Sequence, residues 1–285
     1  MSVSKLENPI VDLWLCSLSD LRDDVGSKSH LKQTLTADEI AKVERYRMPS
    51  SQVQALYVRN YLRKVLSSYS DLMPEAWRFE YGEKGKPSLG AEQQLMTGLN
   101  FNISHSKEHL LIAVCQRVGK PVQLGVDIEH ARSSTNIDSI MKHYFSDKEL
   151  ADLLELSKEL QRERFFDLWA LKESYIKATG KGLATSLRSF SFDFSNLTKR
   201  TFLTKQALEL SSSDFQSGLY NEIRLHSGIG LNLDSAQQDD SSTDWQCCLG
   251  RLDEQYRFAV TLGGNLLPMQ IEMRTFSSSH LFTSI

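Results

Sequence analysis

Residues 121–130 read PVQLGVDIEH, and no other stretch narrows the fold as far. The apolar, β-branched run from Val122 to Ile128 predicts a strand, and a strand's period of two turns Asp127 and Glu129 to one face. Alone, such a pair is as well explained by the exposed side of a half-buried sheet. A second stretch, WALKESYIKATGKG, changes the balance. At about 100° per residue, Phe165, Phe166, Leu168, Trp169, Leu171, Tyr175 and Ile176 form one broad apolar helical face. Lys172 falls near its centre, with Glu173 and Lys177 at its edge. Glu173 and Lys177 taken alone are an i,i+4 surface pair worth roughly 0.3–0.5 kcal/mol. That does not account for Lys172, because an ammonium in an apolar face is costly unless an anion meets it. A bound phosphate would supply that anion.

Three carboxylates brought together repel unless a cation holds them, so Asp127, Glu129 and Glu173 are the candidate magnesium ligands. Magnesium takes oxygen ligands, keeps some waters and is commonly shared between a few carboxylates and a substrate phosphate. The pattern predicts a phosphate-bearing substrate.

The composition leaves room for such a site. A chain of 285 residues, 40% apolar and 24% charged, has the make-up of a globular protein with one large or two modest domains. A net charge of −3 gives no basic field of the kind a nucleic-acid binder needs. The opening MSVSKLENPIVDLWLCSLSDLRDD sets charges on either side of a short apolar patch, unlike a signal peptide or membrane span, so a cytoplasmic location is expected. Cys16, Cys115, Cys247 and Cys248 show no CxxC spacing and read as reduced structural thiols, the adjacent pair facing opposite ways on a strand.

Along the chain, Ile10 to Leu18 reads as a strand. Thr36 with Glu39 is a capping box opening a helix that Pro49 ends. Apolar residues at 53, 56, 57, 61, 62, 65 and 66 mark a second helix from Ser51 to Ser67. A short strand at Trp77 to Tyr81, a GEKGKPSLG loop and a strand, turn, strand reading of FNISHSKEHLLIAVC follow. The second half repeats the order with a helix from Glu163 to Thr179 and strands at Ser189 to Phe194 and Tyr256 to Leu262. The expected class is α+β, with two similar halves forming a pseudo-dimer: 1–120 with the binding loops, 121–285 with the metal strand and the KES helix. The polar SAQQDDSSTD segment, Ser235 to Asp244, reads as a mobile, non-catalytic loop.

Three shorter motifs add candidates. Ser104 and His105 in FNISHS have groups that donate to a phosphate, or are a plain turn serine and a solvated histidine. Lys86 and Pro87 in GKP are a stiffened cationic loop or ordinary loop chemistry. Gly180 in GKG is a helix C-cap, leaving Lys181 as a helix-end cation or a phosphate contact.

In this order, GKP, FNISHS, GVDIE and WxLKESxxKxxGxG resemble the Sfp-type 4′-phosphopantetheinyl transferases, over about Leu35 to Phe194. The resemblance implies transfer of the phosphopantetheine arm of coenzyme A to a serine of an acyl or peptidyl carrier protein, with release of adenosine 3′,5′-bisphosphate. It implies Mg²⁺ on Asp127, Glu129 and Glu173, and nucleotide and phosphate contacts from Lys172, Ser104, His105, and Lys86 with Pro87 in its loop. It places Lys177 beside the pyrophosphate, and gives the carrier serine's proton to Glu173 or a metal-bound water. Where some relatives carry a basic residue, Gln54 stands here, with Lys42, Arg45 or Arg47 as replacements. The segment His130 to Leu150, with Ile137, Ile140, Met141, Tyr144 and Phe145 beside Lys142 and Lys148, is a candidate dock for an acidic carrier or a stripe packed into the core. Rival readings are a metal-dependent phosphoesterase acting on a nucleotide and a coenzyme A or carrier-binding module without turnover. A monomer is expected.

Overall fold

The computed structural model describes residues 8–19, 21–117, 122–202, 205–206, 223–234, 244–264 and 267–282. The expected division at Lys120 and most of the polar segment, residues 235–243, lie outside them. The chain runs β1 (Ile10–Ser17), α1 (Val25–Gln33), α2 (Ala37–Glu44), α3 (Pro49–Ser67), β2 (Phe79–Tyr81), β3 (Pro87–Leu89), α4 (Ala91–Thr97), β4 (Leu99–Ser106), β5 (His109–Gln116) and β6 (Gln123–His130). It continues with α5 (Ile137–Tyr144), α6 (Asp147–Leu154), α7 (Lys158–Thr179), β7 (Phe190–Asp193), β8 (Thr198–Phe202), β9 (Lys205–Gln206), β10 (Ile223–Leu233), β11 (Trp245–Arg251), β12 (Tyr256–Gly263) and β13 (Gln270–Phe276). Helices and sheets are both well represented, as the α+β reading expected.

One sheet has the order β4-β5-β1-β13-β9 and the other β6-β12-β11-β10-β7, with β8 on β10. Strand alternation assigns the cores. On β1, Val11, Leu13 and Leu15 turn to a layer shared with Val126 and Ile128 of β6 and Phe258 and Val260 of β12, so the two sheets pack face to face. Trp14 and Cys16 turn the other way, toward Leu56, Tyr57 and Tyr61 of α3. The far face of the second sheet packs on Phe165, Leu168 and Tyr175 of α7. The result is four layers, with helices outside two central sheets, and it explains why HLLIAVC is apolar at almost every position: both faces of β5 are covered. Cys247 and Cys248 go to opposite faces of β11, and all four cysteines are buried. The last strand, β13, returns to lie parallel to β1.

Local signals act as expected at several points. Thr36 and Glu39 form the expected capping box of α2, whereas Pro49, expected to end that helix, instead opens α3 at its first turn, α2 having already ended at Glu44. The GKP loop is more ordered than expected, because Pro87–Leu89 pairs with Phe79–Tyr81 as a hairpin. The stripe after β6 packs inward: Ile137, Met141 and Phe145 are buried in the core around α7, leaving Tyr144 exposed.

The two sheets also meet edge to edge. Strands β4 and β6 share no backbone ladder. Instead the N–H groups of Val126, Ile128 and His130 donate to the side chains of Asn102 (2.9 Å), Ser104 (3.3 Å) and Ser106 (3.3 Å). Alternate residues of NISHS thereby satisfy alternate edge amides of β6, which would otherwise be exposed donors.

Candidate active site

Helix α7 is buried almost all round in its second half. From Phe165 to Ala178 only Trp169, Glu173 and Lys177 are not fully buried, and a spacing of four puts them in one row. That row faces β6. The approach is close because position 125 is glycine: a Cβ there would lie 2.0 Å from the Ser174 carbonyl oxygen and 2.4 Å from the Ala178 nitrogen. The helix ends on Gly180, whose φ of +71° and N–H bond to the Ile176 carbonyl (3.0 Å) form the expected C-cap.

Asp127 is the centre of the site and is nearly inaccessible. Its Oδ1 accepts from Lys177 Nζ at 2.6 Å and from Ser104 Oγ at 2.8 Å, and Lys177 Nζ also reaches Ser104 Oγ at 2.8 Å. Asp127 Oδ2 is buried without a hydrogen-bond partner. Glu129 Oε1 accepts from the Trp169 indole N–H at 3.0 Å. Burial first, then the Asp127 charge, push the Glu129 carboxyl up to about 7; the same two causes push Glu173 up to about 7, opposed by Lys177. Strand and helix thus deliver three acids into one poorly solvated space together with the Lys177 ammonium.

This environment fits a hard cation. Two carboxyls held near neutrality by a third, and an orphaned buried carboxylate oxygen, are groups that a divalent ion would relieve, and all are oxygen donors. Among the described residues no group of three or more His, Cys, Asp or Glu is already arranged around a metal position. In the present arrangement the Lys177 ammonium takes up the inner oxygen of Asp127.

The other candidates separate into those at the cleft and one that is not. His105 borders a cavity of about 320 Å³ with Gly85, Pro87, Arg59 and Tyr81. Burial, and then Lys177, lower the pKa of His105, favouring the neutral imidazole. Lys84, Lys86, Pro87, Glu173 and Lys177 border a second cavity of about 500 Å³, which shares Gly85, Pro87 and Ile103 with the first. Lys86 Nζ donates to the carbonyls of Leu124 (3.1 Å) and Ala178 (3.0 Å), tying the GKP loop to β6 and to the end of α7; burial lowers its pKa to about 8.

Lys172 requires a correction. Its side chain is 0% exposed, and its anion is the Glu149 carboxylate at 2.9 Å, not a phosphate. The remaining donors go to the carbonyls of Leu187 (2.7 Å) and Phe190 (2.8 Å), so all three N–H groups are used inside the core. The wheel rightly places this lysine inward. It cannot identify a partner on α6, 23 positions earlier. The functional readings also missed Asn102 and Ser106, whose alternation with Ser104 was visible, Gly125, and Trp169, counted as core although its indole N–H serves Glu129.

Residues 123–260 match the 4′-phosphopantetheinyl transferase superfamily, and residues 27–117 match the 4′-phosphopantetheinyl transferase N-terminal family. The chain is 34% identical to the 4′-phosphopantetheinyl transferase HetI of a Nostoc species over 61% of its own length and 70% of that protein's. It is 37% identical to the 4′-phosphopantetheinyl transferase Sfp of Bacillus subtilis, over 46% of this chain and 53% of that one. The mouse L-aminoadipate-semialdehyde dehydrogenase-phosphopantetheinyl transferase is 29% identical over 58% of this chain and 54% of its own.

Proposed function

We propose that this chain, which belongs to the 4′-phosphopantetheinyl transferase superfamily, moves the phosphopantetheine arm of coenzyme A onto a serine of an apo acyl or peptidyl carrier protein and releases adenosine 3′,5′-bisphosphate. The observation that carries the reading is the row Trp169, Glu173, Lys177 set against Asp127 and Glu129, with one carboxylate oxygen left unpaired. Magnesium held by Asp127, Glu129 and Glu173 would supply charge neutralisation on the coenzyme A pyrophosphate.

The chain's own groups divide the remaining work. Transfer of a phosphoryl-type group depends mainly on positioning and on charge stabilisation at the transferring phosphorus. Lys177 suits the second task, because its ammonium is fixed by Asp127 and Ser104 at the cleft's inner end. Glu173 is assigned the role of base toward the carrier serine, because of the three acids it is the one that borders the cleft. His105, Ser104 and the Lys86–Pro87 loop are assigned to the nucleotide and its phosphates, Ser104 also holding Asp127. Lys172 has no part in substrate binding.

Residues 1–120 and 121–285 are taken as the two halves that supply the site, acting together as a cytoplasmic monomer. No helix among the described residues is long and apolar enough to cross a membrane. Intact-mass spectrometry of apo carrier proteins incubated with this protein, coenzyme A and Mg²⁺ tests the reading. A gain of one phosphopantetheine arm, abolished by EDTA, is expected; hydrolysis of coenzyme A with every carrier unmodified would refute it.

A further inference from the structure

The β2–β3 hairpin and the segment that follows α7 are built against each other. A Cβ on Gly180 would lie 3.6 Å from the Lys86 side chain, and one on Gly182 would lie 3.2 Å from that of Lys84. Both lysine stems of GEKGKP thus lie across the GKG segment, whose glycines have φ of +71° and +57°.

The Lys86 ammonium fastens this contact by taking up two carbonyls that secondary structure leaves open. Ala178 is in the last turn of α7, where carbonyls have no partner within the helix, and its oxygen accepts from Lys86 Nζ at 3.0 Å. Leu124, near the start of β6, accepts at 3.1 Å. Its carbonyl belongs to the same strand edge whose N–H groups, from Val126 onward, are met by Asn102, Ser104 and Ser106. An ammonium at a helix C-terminus also meets the negative end of the helix dipole. Two of the three Lys86 donors are therefore committed to backbone.

These two carbonyls sit where a small movement matters. Ala178 stands next to Lys177 and five positions beyond Glu173, and Leu124 stands three positions before Asp127. Between strand and helix lies Gly125, against the backbone of Ser174 and Ala178. Lys86 spans this crossing from outside, and it also borders the cleft with Glu173 and Lys177.

We propose that Lys86 is a positioning residue for transfer: it clasps β6, the end of α7 and the β2–β3 hairpin together, fixing Lys177 and Glu173 against Asp127, and its ammonium serves backbone carbonyls in place of a substrate phosphate. The link to transfer rests on the proposed function; the clasp does not.

Lys86→Met keeps a stem across Gly180 and removes the donors, and Lys86→Arg restores them. Hydrogen–deuterium exchange of the chain without coenzyme A reads the clasp at the amides of Gly82 and Gly85, bonded within the hairpin, and at that of Gly180, which caps α7. In Lys86→Met they are expected to exchange roughly 10–100-fold faster, the span of a hydrogen bond from a charged donor, and in Lys86→Arg to return toward wild type. Transfer kinetics read the consequence. In Lys86→Met, kcat should fall by a larger factor than the KM for coenzyme A rises, with recovery in Lys86→Arg. If Lys86→Met does not fold, as read by thermal unfolding, Lys86→Gln, with its shorter donor, carries both measurements. Unchanged exchange overturns the clasp, and a raised KM with kcat retained overturns it equally, making Lys86 a substrate ligand. A chain with the expected exchange pattern that modifies no carrier would refute the proposed function and leave the clasp standing.

Discussion

Replacing Lys172 by methionine separates a structural lysine from a substrate-binding one. The side chain is fully buried, its three donors go to Glu149, Leu187 and Phe190, and Glu149 is itself 2% exposed. Methionine fills similar space but leaves the Glu149 carboxylate buried with only the Ser146 and Phe192 donors. Removing one partner of a buried pair costs about 3–5 kcal/mol. At roughly 2–4 °C per kcal/mol for a chain of this order of size, the melting temperature should fall by roughly 6–20 °C. A second change, Glu149→Gln, removes the stranded charge yet can keep the capping box with Ser146, so the double variant should recover much of the loss. Differential scanning fluorimetry reads the stability, and the KM for coenzyme A measured well below the transition reads the function. An unchanged melting temperature together with a strongly raised KM would refute the reasoning and return Lys172 to the phosphate role.

Gly125→Ala should displace α7 from β6, because its methyl would meet helix backbone; a loss of about 1–3 kcal/mol or more in urea unfolding is expected, with transfer lost alongside. Trp169→Phe removes the indole bond to Glu129 while keeping an aromatic ring, so transfer should fall by roughly 10-fold or more with the melting temperature little changed. Glu129 and Glu173 are lifted from the ordinary value near 4.5 to about 7, so the folded state holds more protons than the unfolded between those values. Their contribution to stability is present below about 4.5 and is lost as pH rises to about 7. Thermal melts in EDTA should therefore show destabilisation across that window, and added Mg²⁺ should offset it increasingly toward neutral pH. Glu173→Gln should keep the fold and lose most transfer; turnover within a few fold of wild type would remove its assignment as base.

Periodicity reads well where one element decides the outcome. The capping box at Thr36, the inward direction of Lys172 and the opposed faces of Cys247 and Cys248 each follow from residues within a turn or a strand of one another. The grouping of Asp127 and Glu129 with Glu173 and Lys177 was legible because those side chains come from only two such elements, β6 and α7. What stayed hidden depends on distant pairings: Glu149 beneath Lys172, the return of β13 to β1, and the space between α7 and β6 that makes Gly125 a requirement. Trp169 was misread for a different reason. A large ring counts as apolar on a wheel, and its one polar atom is invisible to that count.

The rungs from Asn102, Ser104 and Ser106 to β6 make the join between the sheets something a single substitution can loosen, which no ordinary backbone ladder permits. The middle rung is also the hydroxyl that donates to Asp127. Correct docking of the sheets and correct placement of the inner carboxylate are therefore reported by one atom, Ser104 Oγ. A chain whose two sheets closed out of register would present Asp127 without its serine, and misassembly would register as lost chemistry before it appeared as lost structure.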